Sequence, residues 1–353
     1  VKAVQKKKSP MGMLTATLSN PTGYGRVVRN EKGAIQKVVE HKDASALQQK
    51  ITEGNMGIYI VEKGFLFSSL KCVKTDNAQG EYYLPDLINM AVEAGHEVVG
   101  IDADEFETSG INNRVQLAML EKVVRSRINH RMMMAGVTLV DPESTFIDAD
   151  VTIKPDTVIG SSVHLKGHSR IGRNCTIETG SVIEDSILAD NITIKPYTVV
   201  EQSRVEAHAI LGPFSHLRPG SRIGKECHVG NFVETKKTTL KAGAKANHLS
   251  YIGDAVIGKK TNVGAGTITC NYDGYNKWPT KVGDEVLIGS DTQLVAPITI
   301  PDRVVLGAGT SLTSRVKLSK GALVVMREEA VVIPGYRDKL EKKAKAIKAA
   351  KKK

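Results

Sequence analysis

Cysteine is scarce in this chain of 353 residues, and the four present, Cys72, Cys175, Cys227 and Cys270, lie far apart with no C-x-x-C pair. That spacing excludes a zinc ribbon and a disulfide framework, and it suits a reduced, cytoplasmic protein. Aromatic residues make up only 5% of the chain, with a single Trp. A core built on large rings is therefore excluded. No apolar run approaches the roughly 20 residues of a membrane span, and no stretch reads as a signal peptide. No membrane partner is expected. The formal charge of +11 is concentrated at the ends. Lys2, Lys6, Lys7 and Lys8 carry four positive charges, and Arg337–Lys353 has nine basic and two acidic residues. The body between is close to neutral. Terminal lysine runs of this kind read as solvated, so no nucleic-acid partner is expected.

What is present is a ladder. Ile147, Ile153, Ile159, Leu165, Ile171, Ile177 and Ile183 fall on every sixth position. Val282, Ile288, Leu294, Ile300, Leu306 and Leu312 repeat the pattern. A strand repeats every two residues and an α-helix every 3.6. A sustained period of six is the mark of a parallel β-helix, in which short strands turn a corner and stack on the next coil. Two stretches, Asn231–Leu249 and Thr267–Lys281, break the period and are expected to leave the solenoid.

Ahead of the ladder, residues 1–111 read as mixed α/β. The run Gly57–Val61 looks like a buried strand, Pro85–Glu93 like a helix with proline in its first turn, and Val99–Ala103 like another strand. Residues 112–136 read as a linker helix, with Leu117, Leu120, Val124 and Ile128 on one apolar face. Residues 137–332 form the β-helix domain, and 333–353 a Lys-rich tail.

The breaks collect reactive types. His248 follows Lys236, Lys237, Lys241 and Lys245; Tyr251 comes three residues later, then Asn262, Asn271, Tyr272 and Lys277, with Arg218 upstream. Arg and Lys suit a sugar phosphate, while Asn and Tyr bond hydroxyls. An imidazole among them admits two readings, a general base or an ordinary corner residue. The lysines admit two also, a phosphate site or a solvated face. His164 and His168, four apart, point to different sides of a coil, and His208, His216, His228 and His248 show no tight ligand spacing, so a metal centre is not expected on the solenoid.

Three runs are far more specific than hexads: Gly212–Gly220 (GPFSHLRPG), His228–Lys237 (HVGNFVETKK) and Asn262–Gly274 (NVGAGTITCNYDG). With Gly289–Pro297 (GSDTQLVAP), they resemble the bacterial bifunctional N-acetylglucosamine-1-phosphate uridylyltransferase / glucosamine-1-phosphate N-acetyltransferase family. The resemblance runs from about Pro21 to Arg327. It implies a left-handed parallel β-helix preceded by a partial α/β nucleotidyltransferase domain, assembled as a homotrimer. It implies acetyl transfer from acetyl-CoA to the amine of glucosamine 1-phosphate, for peptidoglycan and lipopolysaccharide precursors. By motif position His248 would be the base; a separate expectation is that Glu234 orients or polarises it. Arg218 and Lys236 would hold the phosphate, and Tyr251, Asn262 and Lys277 the sugar. Ala265, Asn271, Tyr272, Ser290, Ala308 and Arg327 would line the acetyl-CoA side. In the first domain Gly25, Glu40, Asn55 and Asn112 match UDP-N-acetylglucosamine contacts, and Asn112 a Mg²⁺ ligand. The family's Gly-rich nucleotide loop, its Lys and the Asp that shares the Mg²⁺ have no counterpart. Loss of uridylyl transfer is the expectation, since phosphoryl chemistry depends on that positioning.

Overall fold

The computed structural model describes residues 1–108, 110–111, 113–326 and 334–350, with side chains described as far as 343 in the last helix. The chain divides into two compact units, Val1–Val124 and Arg125–Lys353.

The first unit holds a five-stranded sheet. Its strands are β1 (Met11–Thr17), β2 (Gly25–Arg29), β3 (Ile35–Val39), β4 (Glu53–Val61) and β5 (Val99–Asp102), in the order β3-β2-β4-β1-β5. All pairings are antiparallel except β1 with β5. Helix Asp86–Glu93 packs on one face and buries Leu87, Ile88 and Ala91 with Met11, Met13, Val27, Ile35 and Val38. Strand β4 falls where the sequence places it, but its end is not buried. Side chains alternate across a strand, so Tyr59 and Val61 reach the core while Ile58 and Ile60 stay 50% and 37% exposed on the other face.

Helix Arg114–Met134 also differs from expectation. Leu117 and Val124 are exposed, and the buried residues are Asn129 and Met132. The helix end is fixed by polar as well as apolar contacts. Asn129 Nδ2 donates to the carbonyls of Pro142 and Thr145 at 2.7 and 3.0 Å. Met132 joins the solenoid core, whereas Met133 and Met134 stay exposed.

In the second unit, strands of mostly two or three residues stack in parallel register into three walls. Two walls form one 19-stranded sheet and the third a 9-stranded sheet. Most strands turn an aliphatic residue inward, and these residues form one continuous core from Met132 to Leu312. Buried corner hydroxyls satisfy the backbone. Ser186 Oγ donates to the Glu184 carbonyl at 2.7 Å and accepts the Ser203 amide at 3.0 Å.

The register explains why the ladder fades between Ile183 and Val282. One inward file runs Ile147, Leu165, Ile183, Val200, Leu217, Thr235, Ile252, Thr269, Leu294, Leu312. From Ile147 to Leu165 and from Leu165 to Ile183 each coil completes three full hexads. The steps from Ile183 to Val200 and from Val200 to Leu217 each fall one short of that, and so do those from Thr235 to Ile252 and from Ile252 to Thr269. A tighter corner changes the count without moving the stack. For the same reason Asn231–Leu249 does not leave the solenoid. It lies in strands His228–Lys236 and Lys245–Gly253, which pair in register along their length. The second break is a true excursion. The step from Thr269 to Leu294 overshoots three hexads, and the surplus is the hairpin at 270–279.

Candidate active site

Two neighbouring files on the outer surface of one wall carry charge. His216, Glu234 and Tyr251 share the first file; Arg218, Lys236 and Gly253 share the second. Inward Leu217, Thr235 and Ile252 lie between them and fix both. Adjacent strands sit about 4.8 Å apart, so these side chains are neighbours by construction. Arg218 Nη1 donates to Glu234 Oε1 at 2.7 Å, and His216 Nε2 lies 3.0 Å from Glu201 Oε2. The hydrogen bond to Glu234, then its charge, raises the Arg218 guanidinium above its ordinary pKa. Glu234 is thus engaged with Arg218. In the register it faces Tyr251, and His248 faces Asn231, so within one chain the expected pairing of Glu234 with His248 is not made.

The hairpin brings a third cation. Tyr272 and Lys277 form an antiparallel bridge. Asp273 Oδ1 accepts the amides of Tyr275 and Asn276, and Asp273 Oδ2 accepts Trp278 Nε1 at 2.6 Å. Those three donors depress the Asp273 carboxyl below its ordinary range. The turn delivers Lys277 against Lys236. Contact with Lys277, then its charge, lowers the Lys236 ammonium below its usual value, while Asp254 pulls the other way. Two ammonium groups held together disfavour their own charge, and an anion between them relieves the cost. Lys236, Lys277 and Arg218 therefore make a patch suited to phosphate.

Tyr251 lies over Gly253. A methyl group on Gly253 would stand 2.5 Å from Tyr251 Oη and 2.8 Å from Asn271 Nδ2. Gly253 is the floor on which Tyr251 and Asn271 meet, and sequence reasoning missed it. It also missed Thr269, a buried polar rung whose hydroxyl accepts the Gly253 amide at 2.7 Å. A Thr at an aliphatic rung position was the available signal.

His248 belongs to a second group. Three residues on from the paired file Lys245, Asn262, Leu287 and Val305 come His248, Ala265, Ser290 and Ala308. The amides of Gly266, Asp291 and Gly309 bond the carbonyls of Leu249, Ala265 and Ser290 and hold this corner file in line. The imidazole is exposed. Asn262 lies on the preceding wall, in the file with Lys245. The expected residues thus gather on two sides of the corner at Leu249–Ser250: Arg218, Lys236, Tyr251, Asn271, Tyr272 and Lys277 on one, the His248 file on the other. Arg327 and Asn112 lie outside the described residues.

In the first unit, Gly25 and Asn55 face each other across β2 and β4, and Glu40 Oε1 approaches Gly25 so closely that a Cβ there would be 2.9 Å away. Asn55 is buried, bonded through Nδ2 to Tyr59 Oη at 2.6 Å. Glu40 borders a cavity of about 350 Å³ with Asp43, Tyr83, Asp86 and Asn89. Desolvation, then Asp43 and Asp86, raises the Glu40 carboxyl. Asp43 and Asp86 were not expected from the sequence.

The solenoid is built of hexapeptide repeats of the kind found in bacterial transferases. Residues 150–185 match the family model described as bacterial transferase hexapeptide (six repeats), and residues 279–314 that of the hexapeptide repeat of succinyl-transferase. Among whole proteins, the bifunctional protein GlmU of Sorangium cellulosum is 46% identical over 98% of this chain and 72% of its own length. Its counterpart in Pelobacter propionicus is 45% identical over 94% of this chain and 72% of its own. That of Anaeromyxobacter is 51% identical over 82% and 59%. The chain belongs to the GlmU family of bifunctional proteins.

Proposed function

We propose that the second unit transfers the acetyl group of acetyl-CoA to the amine of glucosamine 1-phosphate. The product is N-acetylglucosamine 1-phosphate, for UDP-N-acetylglucosamine synthesis. The observation that carries this reading is the meeting of Arg218, Lys236 and Lys277 on one patch, beside Tyr251. Arg218 and Lys236 hold the phosphate dianion; Lys277, Tyr251 and Asn262 hold the sugar. The amine attacks the thioester carbonyl as His248 takes its proton, and the C–S bond breaks as CoA leaves and collects a proton. Ala265, Ser290 and Ala308 form a small-residue track for acetyl-CoA, joined by Asn271 and Tyr272. Arg327 belongs to the same side by motif position.

By the family resemblance, the reading also makes the molecule a homotrimer in the cytoplasm, with sites completed between neighbouring chains; two groups of residues on different sides of a corner suit that arrangement. For the first unit, Gly25, Glu40 and Asn55 are UDP-sugar contacts. Among the described residues no group of three His, Cys, Asp or Glu side chains could hold a metal ion. Asn112, the Mg²⁺ ligand that the resemblance implies, lies outside them.

Thiol release from acetyl-CoA, dependent on glucosamine 1-phosphate, tests the proposal. His248→Ala is expected to lower kcat at least about 10²-fold, the scale for loss of a general base, with the oligomer retained by light scattering. Turnover near the wild-type rate in that variant would remove His248 from its role.

A further inference from the structure

Among the described residues the hairpin at 270–279 is the long excursion from the coils, and both of its ends rest on a single residue. Asp254 sits at a corner with φ of +47°, directly after Gly253. Its amide donates to the Lys236 carbonyl at 2.9 Å in the coil before. Its carbonyl accepts the amide of Thr280, where the chain re-enters the wall, at 3.1 Å. Its side chain reaches the other end, with Oδ2 accepting Asn271 Nδ2 at 2.6 Å. Asn271 is itself buried, and its carbonyl accepts the Trp278 amide at 2.8 Å. The Asn271 amide group, expected to face acetyl-CoA, is therefore already engaged on its nitrogen.

We propose that Asp254 is a positioning residue for both substrates: by pinning Asn271 it holds the hairpin that presents Tyr272 to one and Lys277 to the other. This rests on the acetyl-transfer reading for its kinetic consequence, and on geometry alone for its mechanical one. His248 lies outside the hairpin, so loosening the pin leaves the base in place. The expected signature is a rise in both KM values with kcat nearly kept. A hydrogen bond to a charged group that is lost from a half-buried site corresponds to roughly tenfold or more.

Asp254→Gly removes the carboxylate without straining the left-handed backbone. It should raise KM for glucosamine 1-phosphate and for acetyl-CoA about tenfold each, with kcat within about threefold. Asp254→Asn keeps an acceptor oxygen and tolerates positive φ, so it should stay nearer to wild type. Asn271→Asp sets two carboxylates together and should loosen the hairpin, and the exchanged pair Asp254→Asn/Asn271→Asp should restore its order, read by fluorescence rather than by KM because Asn271 itself lies on the acetyl-CoA side. Trp278 is the only tryptophan and stands on the hairpin, so its fluorescence reports the pin whether or not the chain turns over substrate. Acrylamide quenching should increase in Asp254→Gly and return in the exchanged pair. Unchanged KM values with unchanged quenching would overturn the proposal. So would a fall in kcat alone, or a collapse of far-UV dichroism in Asp254→Gly with no recovery in the exchanged pair. Altered quenching in a chain without acetyl transfer would sink the functional reading and leave the pin standing.

Discussion

Gly253→Ala separates the site from the fold more cleanly than any core substitution. The new methyl would lie 2.5 Å from Tyr251 Oη, 2.7 Å from its Cζ and 2.8 Å from Asn271 Nδ2. To reach an ordinary contact of 3.4 Å, the Tyr251 hydroxyl must retreat by about 0.9 Å and the Asn271 nitrogen by about 0.6 Å. Tyr251 is half-buried on the outer surface and can yield by turning its ring. Asn271 is tied to Asp254 at 2.6 Å, and the same movement stretches that bond toward its limit. Misplacement by about 1 Å in a positioned site costs on the order of 10²-fold in rate. Stability moves little. Gly253 is not among the residues with positive φ, so alanine fits its backbone and gains about 0.4–1 kcal/mol by restricting the unfolded chain. Crowding costs about 1–3 kcal/mol, so the net loss is between about 0 and 2.6 kcal/mol. The assay is paired: acetyl transfer at saturating and limiting substrate, and a urea melt. The expected result is kcat/KM down about 10²-fold with the unfolding midpoint only slightly lowered. Activity within threefold of wild type would refute the idea that Tyr251 must occupy the space above Gly253.

Two further outcomes concern the scaffold. Ile183→Ala empties a fully buried rung and should cost about 2–5 kcal/mol, read from the urea midpoint; a loss under about 1 kcal/mol would mean the coils collapse around the gap. Burial pushes the Cys227 thiol from 9.0 up to about 11. The native state then keeps a proton that the unfolded state releases, so stability falls as pH rises from 9 to 11, by about 2–3 kcal/mol. Comparing that slope in wild type and Cys227→Ala checks it, since equal slopes would place the alkaline loss elsewhere.

The sequence displays the β-helix wherever a coil is three whole hexads, because a period of six then survives each turn. It conceals the middle coils, where one position fewer carries the same walls. What looked like a break at Asn231–Leu249 is the most continuous pairing in the solenoid. Periodicity registers count, whereas stacking depends on which residue faces inward. The hairpin was legible because Asn, Asp and Gly replace aliphatic rungs there. Gly253 and Asp254 were not, since their roles come from what lies above and below them, a full coil or more away along the chain. Likewise Ile58 and Ile60 carry a strand's composition, and only the placement of helix Asp86–Glu93 decides which face of the sheet is covered.

The unequal coils also write a length scale into the molecule under load. In a stack where each coil touches only its neighbours, force applied at the C-terminal end peels one coil at a time. At about 3.3–3.6 Å per extended residue, a coil of ordinary size releases roughly 60 Å of contour length, and the larger coil that bears the hairpin roughly 85 Å. A pulling trace would thus carry one outsized step, reached after the coils beyond Leu294 have gone. That step would mark the moment at which the candidate site opens.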